Sequence, residues 1–354
     1  MRMRLPPLPT VGEIIRLYRL RAKKHLSQNF LLDLNLTKKI VCSAGKLDNG
    51  FVCEVGPGPG GITRSLLETN LRQLVVIEKD RRFVPGLQLL ADAAEGRMAI
   101  VHGDILLCDL SSVIPQDVAR PWEDNSPNIH LIGNLPFNVS TPLIIRWLEE
   151  ISNKTGPWKF GRTKLTLTFQ KEVAERMVAR TLSKQRCRLS VMCQNLCDIH
   201  LKFIIPGKAF VPPPKVDVAV VQFIPRVKPM INHPFKLVEK VCRHLFHFRN
   251  KHCKHTLATL FPPDMPELTA EMLEETGINP ETRSYMLSMG DMSKFCDTYR
   301  SICDRIPFML EYNYRDPENI KKYHNKRIMV TEMLEDRILN DGITDDEDVL
   351  SKAS

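Results

Sequence analysis

The stretch Phe51-Val52-Cys53-Glu54-Val55, followed by Gly56-Pro57-Gly58-Pro59-Gly60-Gly61, decides the fold. The first five residues are mostly apolar and predict a short buried strand. The glycines that follow predict a tight turn, because glycine adopts main-chain conformations that other residues avoid. A helix over Gly61–Thr69 is then expected. A strand, a glycine turn and a helix in this order are typical of the first unit of a doubly wound α/β sheet.

The same alternation of strands and helices continues along the chain. Helices are expected at Thr141–Glu150 and Lys171–Arg180, among others, and alternation of this kind favours a parallel sheet. The last two strands are joined without a crossover helix, so we expect one antiparallel strand at the end of the sheet. The expected strands are Phe51–Val55, Leu74–Ile77, Met98–His102, Ile129–Ile132, Lys164–Phe169, Leu201–Ile205 and Val218–Ile224.

Polar residues stand where three of these strands end. Glu78 follows the second strand, Asp104 follows the third, and Asn134 follows the fourth. Ligands of open α/β sheets bind at the carboxyl ends of the strands, so these side chains are expected to share a crevice with the glycine turn. A carboxylate at Glu78 can accept hydrogen bonds from a ribose diol, and one at Asp104 can accept from an adenine amine. An adenosine-containing cofactor is therefore expected.

The glycine turn also fits the dinucleotide pattern G-x-G-x-x-G through Gly56, Gly58 and Gly61, with an acidic residue at the end of the next strand. A dehydrogenase is therefore an alternative on these residues alone. Pro57 and Pro59 weigh against it, because proline stiffens the turn and removes amide donors that a pyrophosphate would need.

Asn134-Leu135-Pro136-Phe137 carries the second chemical signal. The exocyclic amine of adenine is a poor nucleophile, because its lone pair is delocalised into the ring. The side-chain carbonyl of Asn134 and the main-chain carbonyl of Leu135 can accept hydrogen bonds from its two N–H groups, and Pro136 favours an extended Leu135. Phe137 can stack on the base, which is worth roughly 1–3 kcal/mol. We expect Asn134, Leu135 and Phe137 to be catalytic, in a displacement that needs alignment and acceptors but no strong base. An ordinary strand-end turn is the alternative.

Charge and composition narrow the class of protein. The 354 residues carry a formal net charge of +9, which favours a polyanionic partner such as RNA. The ten cysteines form no Cys-x-x-Cys pair, which indicates reduced thiols in a reducing compartment. The Cys and His residues between positions 242 and 255 match no standard zinc spacing, so no metal is expected. No apolar run approaches the ~18 residues that span a bilayer, so no membrane association is expected.

Residues 1–25 are expected to form a basic N-terminal segment. Glu13 is its single acidic residue, and its apolar residues can share one side of a helix. Such a segment is typical of a mitochondrial presequence. A basic arm that contacts RNA and stays in the mature protein is the alternative.

Three further parts are expected. Residues 26–227 form the α/β domain, residues 228–315 a small helical domain with a long helix over His233–Leu260, and residues 316–354 a polar, acidic tail. Basic residues on the long helix are the RNA-binding candidates: Lys240, Arg243 and Arg249.

Several segments between about residues 25 and 310 together resemble the ribosomal RNA adenine dimethyltransferase (KsgA-type) family. The matching segments are Ser27–Leu31, Glu54–Gly60, Val76–Asp80, Gly103-Asp104, Asn134–Phe137, Phe169–Arg176, Arg188–Ser190 and Phe210–Asp217. Arg4–Thr10 and Arg120–Asp124 are similar to the mitochondrial branch of that family. Two positions depart from the family pattern. Phe137 stands where many relatives have Tyr, and Asp217 stands where bacterial relatives usually have Ser.

The resemblance implies a Rossmann-like class I methyltransferase fold, with a seven-stranded, mostly parallel sheet and a small C-terminal helical domain. It implies S-adenosylmethionine as the cofactor, and it implies that Phe210 faces Phe137 and sandwiches the target base. The implied cofactor-binding residues are Gln28, Asn29, Leu31, Gly56, Gly58, Glu78, Lys79, Asp104, Ile105 and Asn134.

The resemblance also implies a substrate and a compartment. The substrate would be two adjacent adenosines in the 3′-terminal hairpin loop of mitochondrial small-subunit rRNA, each dimethylated on N6, in free RNA or in a pre-assembled subunit. The protein would be a monomer of the mitochondrial matrix. One alternative is a mitochondrial transcription factor that binds DNA or the polymerase and does not need methyl transfer. A DNA adenine methyltransferase is less favoured, because those enzymes more often carry Pro at position 135.

Overall fold

The computed structural model describes residues 6–23, 28–248, 250–316 and 318. Its strands are β1 (Phe30–Leu31), β2 (Phe51–Val55), β3 (Gln73–Glu78), β4 (Met98–His102), β5 (Ile129–Gly133), β6 (Lys164–Gln170), β7 (Cys197–Ile205), β8 (Phe210–Val211) and β9 (Val218–Pro225). Its α-helices are α1 (Val11–Leu17), α2 (Leu34–Ser43), α3 (Gly61–Leu67), α4 (Val84–Ala93), α5 (Phe137–Asn153), α6 (Lys171–Met177), α7 (Arg188–Leu196), α8 (Phe235–Leu245), α9 (Cys253–Leu257), α10 (Pro266–Thr276) and α11 (Met289–Arg305).

In the described part of the chain, seven strands form one sheet in the order β4-β3-β2-β5-β6-β9-β7. β9 runs antiparallel to both of its neighbours, and the other pairings are parallel. The predicted mostly parallel sheet with one antiparallel strand is therefore confirmed. The physical reason is the connection from β7 to β9, which contains no crossover helix and so cannot return the chain in parallel.

The strands in the middle of the sheet are buried along their whole length. Every residue of β2 and of β5 is buried, as expected of parallel strands covered by helices on both faces. β7 lies at the edge and alternates between exposed and covered residues along its length. It begins at Cys197, earlier than the predicted Leu201, because Cys197 already pairs with Pro225 of β9.

Two helices differ from the prediction. α5 begins at Phe137 rather than Thr141, with Pro136 as its N-cap, so Pro142 lies inside the helix. The hydrogen bond that Pro142 cannot donate would end on Asn138, which is exposed, so water can satisfy that carbonyl. The long helix predicted over His233–Leu260 is wrong, because α8 ends at Leu245 and α9 begins only at Cys253.

The N-terminal segment contains a short helix that packs on the sheet domain. Thr10 and Glu13 form a capping box at the start of α1. Val11 and Ile14 are buried, and the Arg64 guanidinium donates to the Pro9 carbonyl at 2.5 Å. These contacts make α1 part of the folded domain. They do not bear on the targeting role expected for residues 1–25.

The chain divides into two compact units, Met1–Lys236 and Leu237–Ser354. The boundary lies later than the expected 227/228, because the intervening residues bond to the first unit. The Ile231 amide donates to the Asn195 side chain at 2.6 Å, and Lys236 pairs with Glu149 at 3.0 Å. The predicted acidic tail lies almost entirely outside the described residues. None of the described helices has the length and apolar character needed to cross a membrane.

Candidate active site

The glycine turn that follows β2 allows the main chain at the start of α3 to lie close to the main chain of β1. Gly56, Gly58 and Gly60 have φ values of +67°, +54° and +86°, which side-chain-bearing residues rarely adopt. At Gly61, the first residue of α3, a Cβ atom would lie 2.7 Å from the Leu31 carbonyl oxygen. β1 and the start of α3 can therefore approach only because position 61 has no side chain.

This turn forms one wall of a pocket at the carboxyl edge of the sheet. The pocket contains about 730 Å³ of empty space and opens to solvent. Its lining residues are Gln28, Asn29, Phe30, Leu31, Glu54, Gly56, Pro57, Gly58, Pro59, Gly61, Ile62, Glu78, Phe83, Asn134, Leu135, Pro136, Phe137 and Phe210. The structure thus brings together the predicted glycine, acidic, amide and aromatic residues.

Glu78 lies at the end of β3 and is 6% exposed. One of its carboxylate oxygens accepts from the Gly58 amide at 3.0 Å, and the other accepts from the Asp80 amide at 2.7 Å. Burial raises the pKa of Glu78, and the two amide hydrogen bonds oppose that rise by favouring the carboxylate. The bonds also fix the orientation of the carboxyl group against the glycine turn.

Glu54 is a second buried carboxyl group in the pocket wall, at a position for which no role was predicted. It is the fourth of the five residues of β2 and accepts from the Thr63 hydroxyl at 2.7 Å. Burial raises the pKa of Glu54 to about 8, and the neighbouring charge of Glu78 adds to the rise. Its position in the motif Glu54-Val55-Gly56 is the sequence signal that could have identified it.

Gln28 takes part in a polar network beside Glu78. Its side-chain amide donates to Asp80 at 3.1 Å, and its oxygen accepts from the Lys23 amide at 3.0 Å. Arg82 donates to both carboxylate oxygens of Asp80. These hydrogen bonds hold the pKa of Asp80 below its usual range. The network ties the N-terminal segment to the end of β3.

Three of the predicted cofactor residues do not line the pocket, namely Lys79, Asp104 and Ile105. Lys79 and Asp104 form an ion pair at 2.6 Å, in which the lysine side chain is 63% exposed. Asp104 also accepts from the Leu106 amide at 3.0 Å, and Ile105 is buried. The ion pair is the main cause that lowers the pKa of Asp104. Their cofactor contacts stay a prediction.

The amide of Asn134 is held at both ends. Its nitrogen donates to the Asn29 carbonyl at 3.1 Å, and its oxygen accepts from the Thr168 hydroxyl at 2.8 Å. A carbonyl can only accept, so Asn29 determines which end of the amide is the nitrogen. The amide oxygen keeps one lone pair for a further donor. Among the described residues, no N–H or O–H group donates to the Leu135 carbonyl.

Phe137 and Phe210 line the same pocket but differ in exposure. Phe210 is 2% exposed and lies opposite Leu31 in the pairing of β8 with β1. Phe137 is half-buried and packs against the apolar core cluster that contains Phe210 and Leu31. Their role on either side of a target base stays a prediction.

One predicted RNA contact is wrong. The Lys240 ammonium group is buried, since the residue is only 5% exposed, and it donates to the carbonyls of Met309, Leu310 and Tyr312 at 2.6–2.8 Å. It therefore anchors residues 309–312 and is not available to contact a phosphate. Arg243 is exposed and remains a candidate, and Arg249 lies outside the described residues.

Among the residues that the structure describes, no group of three His, Cys, Asp or Glu side chains could hold a metal ion.

Thr168, whose hydroxyl group donates to the Asn134 side chain, is a site residue that was not predicted from the sequence. It lies in β6 and is fully buried, and a Thr in an alternating strand reads as ordinary strand sequence. Gly133 of β5 lies opposite Leu167 of β6, so Asn134 and Thr168 follow side by side. Only this register reveals the contact.

Comparison with solved structures supports the fold. A dimethyladenosine transferase from Plasmodium falciparum superposes with a TM-score of 0.61 at 22% identity, over 76% of this chain and 96% of that chain. The 23S rRNA methyltransferase ErmE superposes with a TM-score of 0.54 at 20% identity, over 76% of this chain and 99% of that chain. At these identities the likeness shows the fold alone.

Comparison of sequences identifies the family of the chain. The human protein named "Dimethyladenosine transferase 1, mitochondrial" is 56% identical over 324 residues, which are 91% of this chain and 94% of the human protein. The proteins of the same name from Xenopus tropicalis and Caenorhabditis elegans are 55% and 44% identical, each over 91% of this chain and over 94% and 88% of their own lengths. Residues 19–300 match the family described as "Ribosomal RNA adenine dimethylase". The chain therefore belongs to the ribosomal RNA adenine dimethylase family, whose members are S-adenosylmethionine-dependent methyltransferases.

Proposed function

We propose that this protein dimethylates N6 of two adjacent adenosines in the 3′-terminal hairpin loop of mitochondrial small-subunit rRNA, in the mitochondrial matrix. One observation carries the proposal. Asn134 and Leu135 both line one pocket beside the glycine turn. Among the described residues, the Asn134 side-chain oxygen accepts one hydrogen bond and the Leu135 carbonyl accepts none, so both can accept a further one. The relatives named mitochondrial dimethyladenosine transferase 1 support the choice of compartment and substrate.

The pocket suits S-adenosylmethionine in its carboxyl groups and in the close approach that its glycine turn allows. The cofactor carries a net positive charge, and two buried carboxyl groups, Glu54 and Glu78, line the pocket. The glycine turn allows a ligand to approach main chain closely. Glu78 would hold the ribose hydroxyls, and the turn at Gly56 and Gly58 would hold the amino-acid portion. When bound, the cofactor would supply a methyl group bonded to a positively charged sulfur, and that sulfur would leave as a neutral thioether when the S–C bond breaks.

The chain's own residues act on the amine of the target. In the first transfer, Asn134 and Leu135 each accept a hydrogen bond from one N–H group, which orients the nitrogen lone pair toward the methyl group. The monomethylated amine keeps one N–H group, so one of the two acceptors holds it in the second transfer. The same acceptors stabilise the positive charge that develops on nitrogen during transfer, and the methylated nitrogen then loses one proton to solvent, to which the pocket opens. Alignment by two fixed acceptors supplies much of the rate acceleration, because it removes the orientational entropy of the reaction.

RNA recognition draws on both aromatic and basic residues. A loop adenosine is easier to extrude than a paired one, and Phe137 offers a half-buried ring for stacking. Arg243 on α8 offers an exposed charge in the second unit. The net charge of +9 favours binding to the phosphate backbone. The protein would act as a monomer, on free RNA or on a pre-assembled small subunit.

The test uses the purified protein, labelled S-adenosylmethionine and a transcribed hairpin from the 3′ end of mitochondrial small-subunit rRNA. We expect dimethyladenosine at the two loop positions, mapped by mass spectrometry of nuclease digests. The matched control is the same hairpin with guanosine at both positions, which should stay unlabelled. Parallel reactions with small subunits that lack the modification compare the two substrate forms. Label elsewhere in the hairpin, or none on either substrate, contradicts the proposal.

The alternative function, a transcription factor without need of methyl transfer, is not required by any observation on the described residues. The glycine turn, Glu78 and the acceptor pair at Asn134 and Leu135 are all in place, and the relatives carry the name of an enzyme.

A further inference from the structure

Thr168 stands behind the acceptor that the proposed function assigns to the target amine. Its hydroxyl group donates to the Asn134 side-chain oxygen at 2.8 Å, and the residue is fully buried. Asn134 is otherwise held by the Asn29 carbonyl, which accepts from the amide nitrogen at 3.1 Å. The amide therefore lies between one group that must accept and one that can donate.

The two bonds have different consequences for the acceptor. The Asn29 bond fixes which end of the amide is nitrogen, but rotation about a single contact still moves the oxygen. The Thr168 bond adds a second fixed point, at the oxygen itself. An amide oxygen has two lone-pair directions, and Thr168 occupies one of them. The remaining direction is then the only one open to a ligand N–H group.

We propose that Thr168 is a positioning residue for methyl transfer, which aims the free lone pair of the Asn134 side-chain oxygen at the N–H group of the target adenine. This inference rests on the proposed function of the pocket. Thr168 is not among the residues that line the pocket, so it acts through Asn134. Its contribution therefore lies in the rate of transfer rather than in cofactor binding.

The chain supplies a matched control two residues away. Thr166 lies on the same strand and the same face as Thr168, because side chains of a strand repeat every second residue. It is also buried, but its hydroxyl group has no hydrogen-bond partner among the described residues. Thr166→Val and Thr168→Val make the same change in shape and remove a hydroxyl group in both cases. Only the second removes a hydrogen bond.

The first readout is steady-state methylation of the rRNA hairpin. One neutral hydrogen bond changes an equilibrium by about two- to twelvefold, so Thr168→Val is expected to lower kcat by about that factor and to leave the KM for S-adenosylmethionine unchanged. Thr168→Ser, which keeps the hydroxyl group, is expected to restore kcat, and Thr166→Val to retain it. Equal kcat values for the two valine variants would overturn the inference. So would a serine variant as slow as Thr168→Val, because that result indicates packing.

A second readout does not depend on turnover. The side-chain NH₂ signals of Asn134 in a ¹H–¹⁵N spectrum are expected to shift in Thr168→Val and to stay in place in Thr166→Val. If Thr168→Val does not fold, the pair Thr168→Ser and Thr168→Ala gives the same comparison, because the two differ by one oxygen atom. If the wild-type protein methylates no adenine, the proposed function is contradicted. If the Asn134 side-chain NH₂ signals do not shift when the Thr168 hydroxyl group is removed, this inference is contradicted.

Discussion

Glu78→Gln should separate cofactor binding from folding. The carboxylate of Glu78 accepts from two main-chain amides, those of Gly58 and Asp80, at 3.0 and 2.7 Å. A glutamine has one oxygen and one NH₂ group, so whichever way it turns, the NH₂ group faces one of the two N–H donors. The substitution therefore removes an acceptor as well as the charge, although it hardly changes the shape.

The magnitude follows from the bonds that are lost. A hydrogen bond to a charged group contributes about 1.5–3 kcal/mol, and every 1.4 kcal/mol changes a dissociation constant about tenfold. Loss of one such bond between Glu78 and a ribose hydroxyl should raise the Kd for S-adenosylmethionine by about 10- to 150-fold. The effect on stability should be much smaller, because burial already disfavours the charged form and raises the pKa of Glu78. Removal of the charge thus offsets part of the cost of the lost amide bond.

Titration calorimetry with S-adenosylmethionine gives the Kd, and thermal unfolding without ligand gives the Tm. Glu68→Gln is the matched control, since Glu68 pairs with Lys38 on the surface and both side chains are more than 40% exposed. We expect that control to bind like the wild type. A Kd of Glu78→Gln within about threefold of the wild-type value, less than any charged hydrogen bond contributes, would refute the assigned role. A large fall in Tm together with the loss of affinity would also refute it, because it would show a structural role.

Three further predictions concern other groups. Gly61→Ala places a methyl group 2.7 Å from a main-chain carbonyl oxygen and should destabilise the protein by about 1–3 kcal/mol in chemical denaturation, whereas Gly12→Ala, with no atom closer than 4.0 Å, should not; equal stabilities would contradict the close approach. Burial raises the pKa of Glu54 to about 8, so the carboxyl group of the free protein holds a proton at neutral pH. Binding of a cationic cofactor should release this proton, and the affinity for the cofactor should therefore increase as pH rises. Calorimetry in buffers of different ionisation enthalpy that shows no proton release would contradict this. Lys240→Met should lower stability by about 3 kcal/mol or more, because three carbonyls lose their donor and two of these hydrogen bonds are buried. Arg243→Ala should leave stability unchanged and reduce the salt dependence of RNA binding by about one unit of slope. The reverse pattern would place the RNA contact at position 240.

Local patterns in the sequence were enough to predict the sheet. Apolar runs that end at polar or glycine residues predicted the strands, and the missing crossover before β9 predicted its antiparallel direction. The same topology predicts a crevice at the carboxyl edge of the sheet, so the sequence alone places Glu78, Asn134 and the glycine turn in one site. Helix ends were less predictable, because local sequence does not show that Pro136 can start α5 or that the chain breaks after Leu245.

The sequence by itself therefore determined the fold class, the family and the main wall of the pocket, because these depend on residue types in chain order. Tertiary structure alone decided which side chains are free to act. Lys240 looks like an RNA contact in a basic helix, yet three carbonyls from a distant turn surround its ammonium group. Thr168 looks like ordinary strand sequence, yet the register of β6 against β5 places its hydroxyl group on Asn134. Contacts between residues far apart in the chain are fixed by packing and register, which no local pattern encodes.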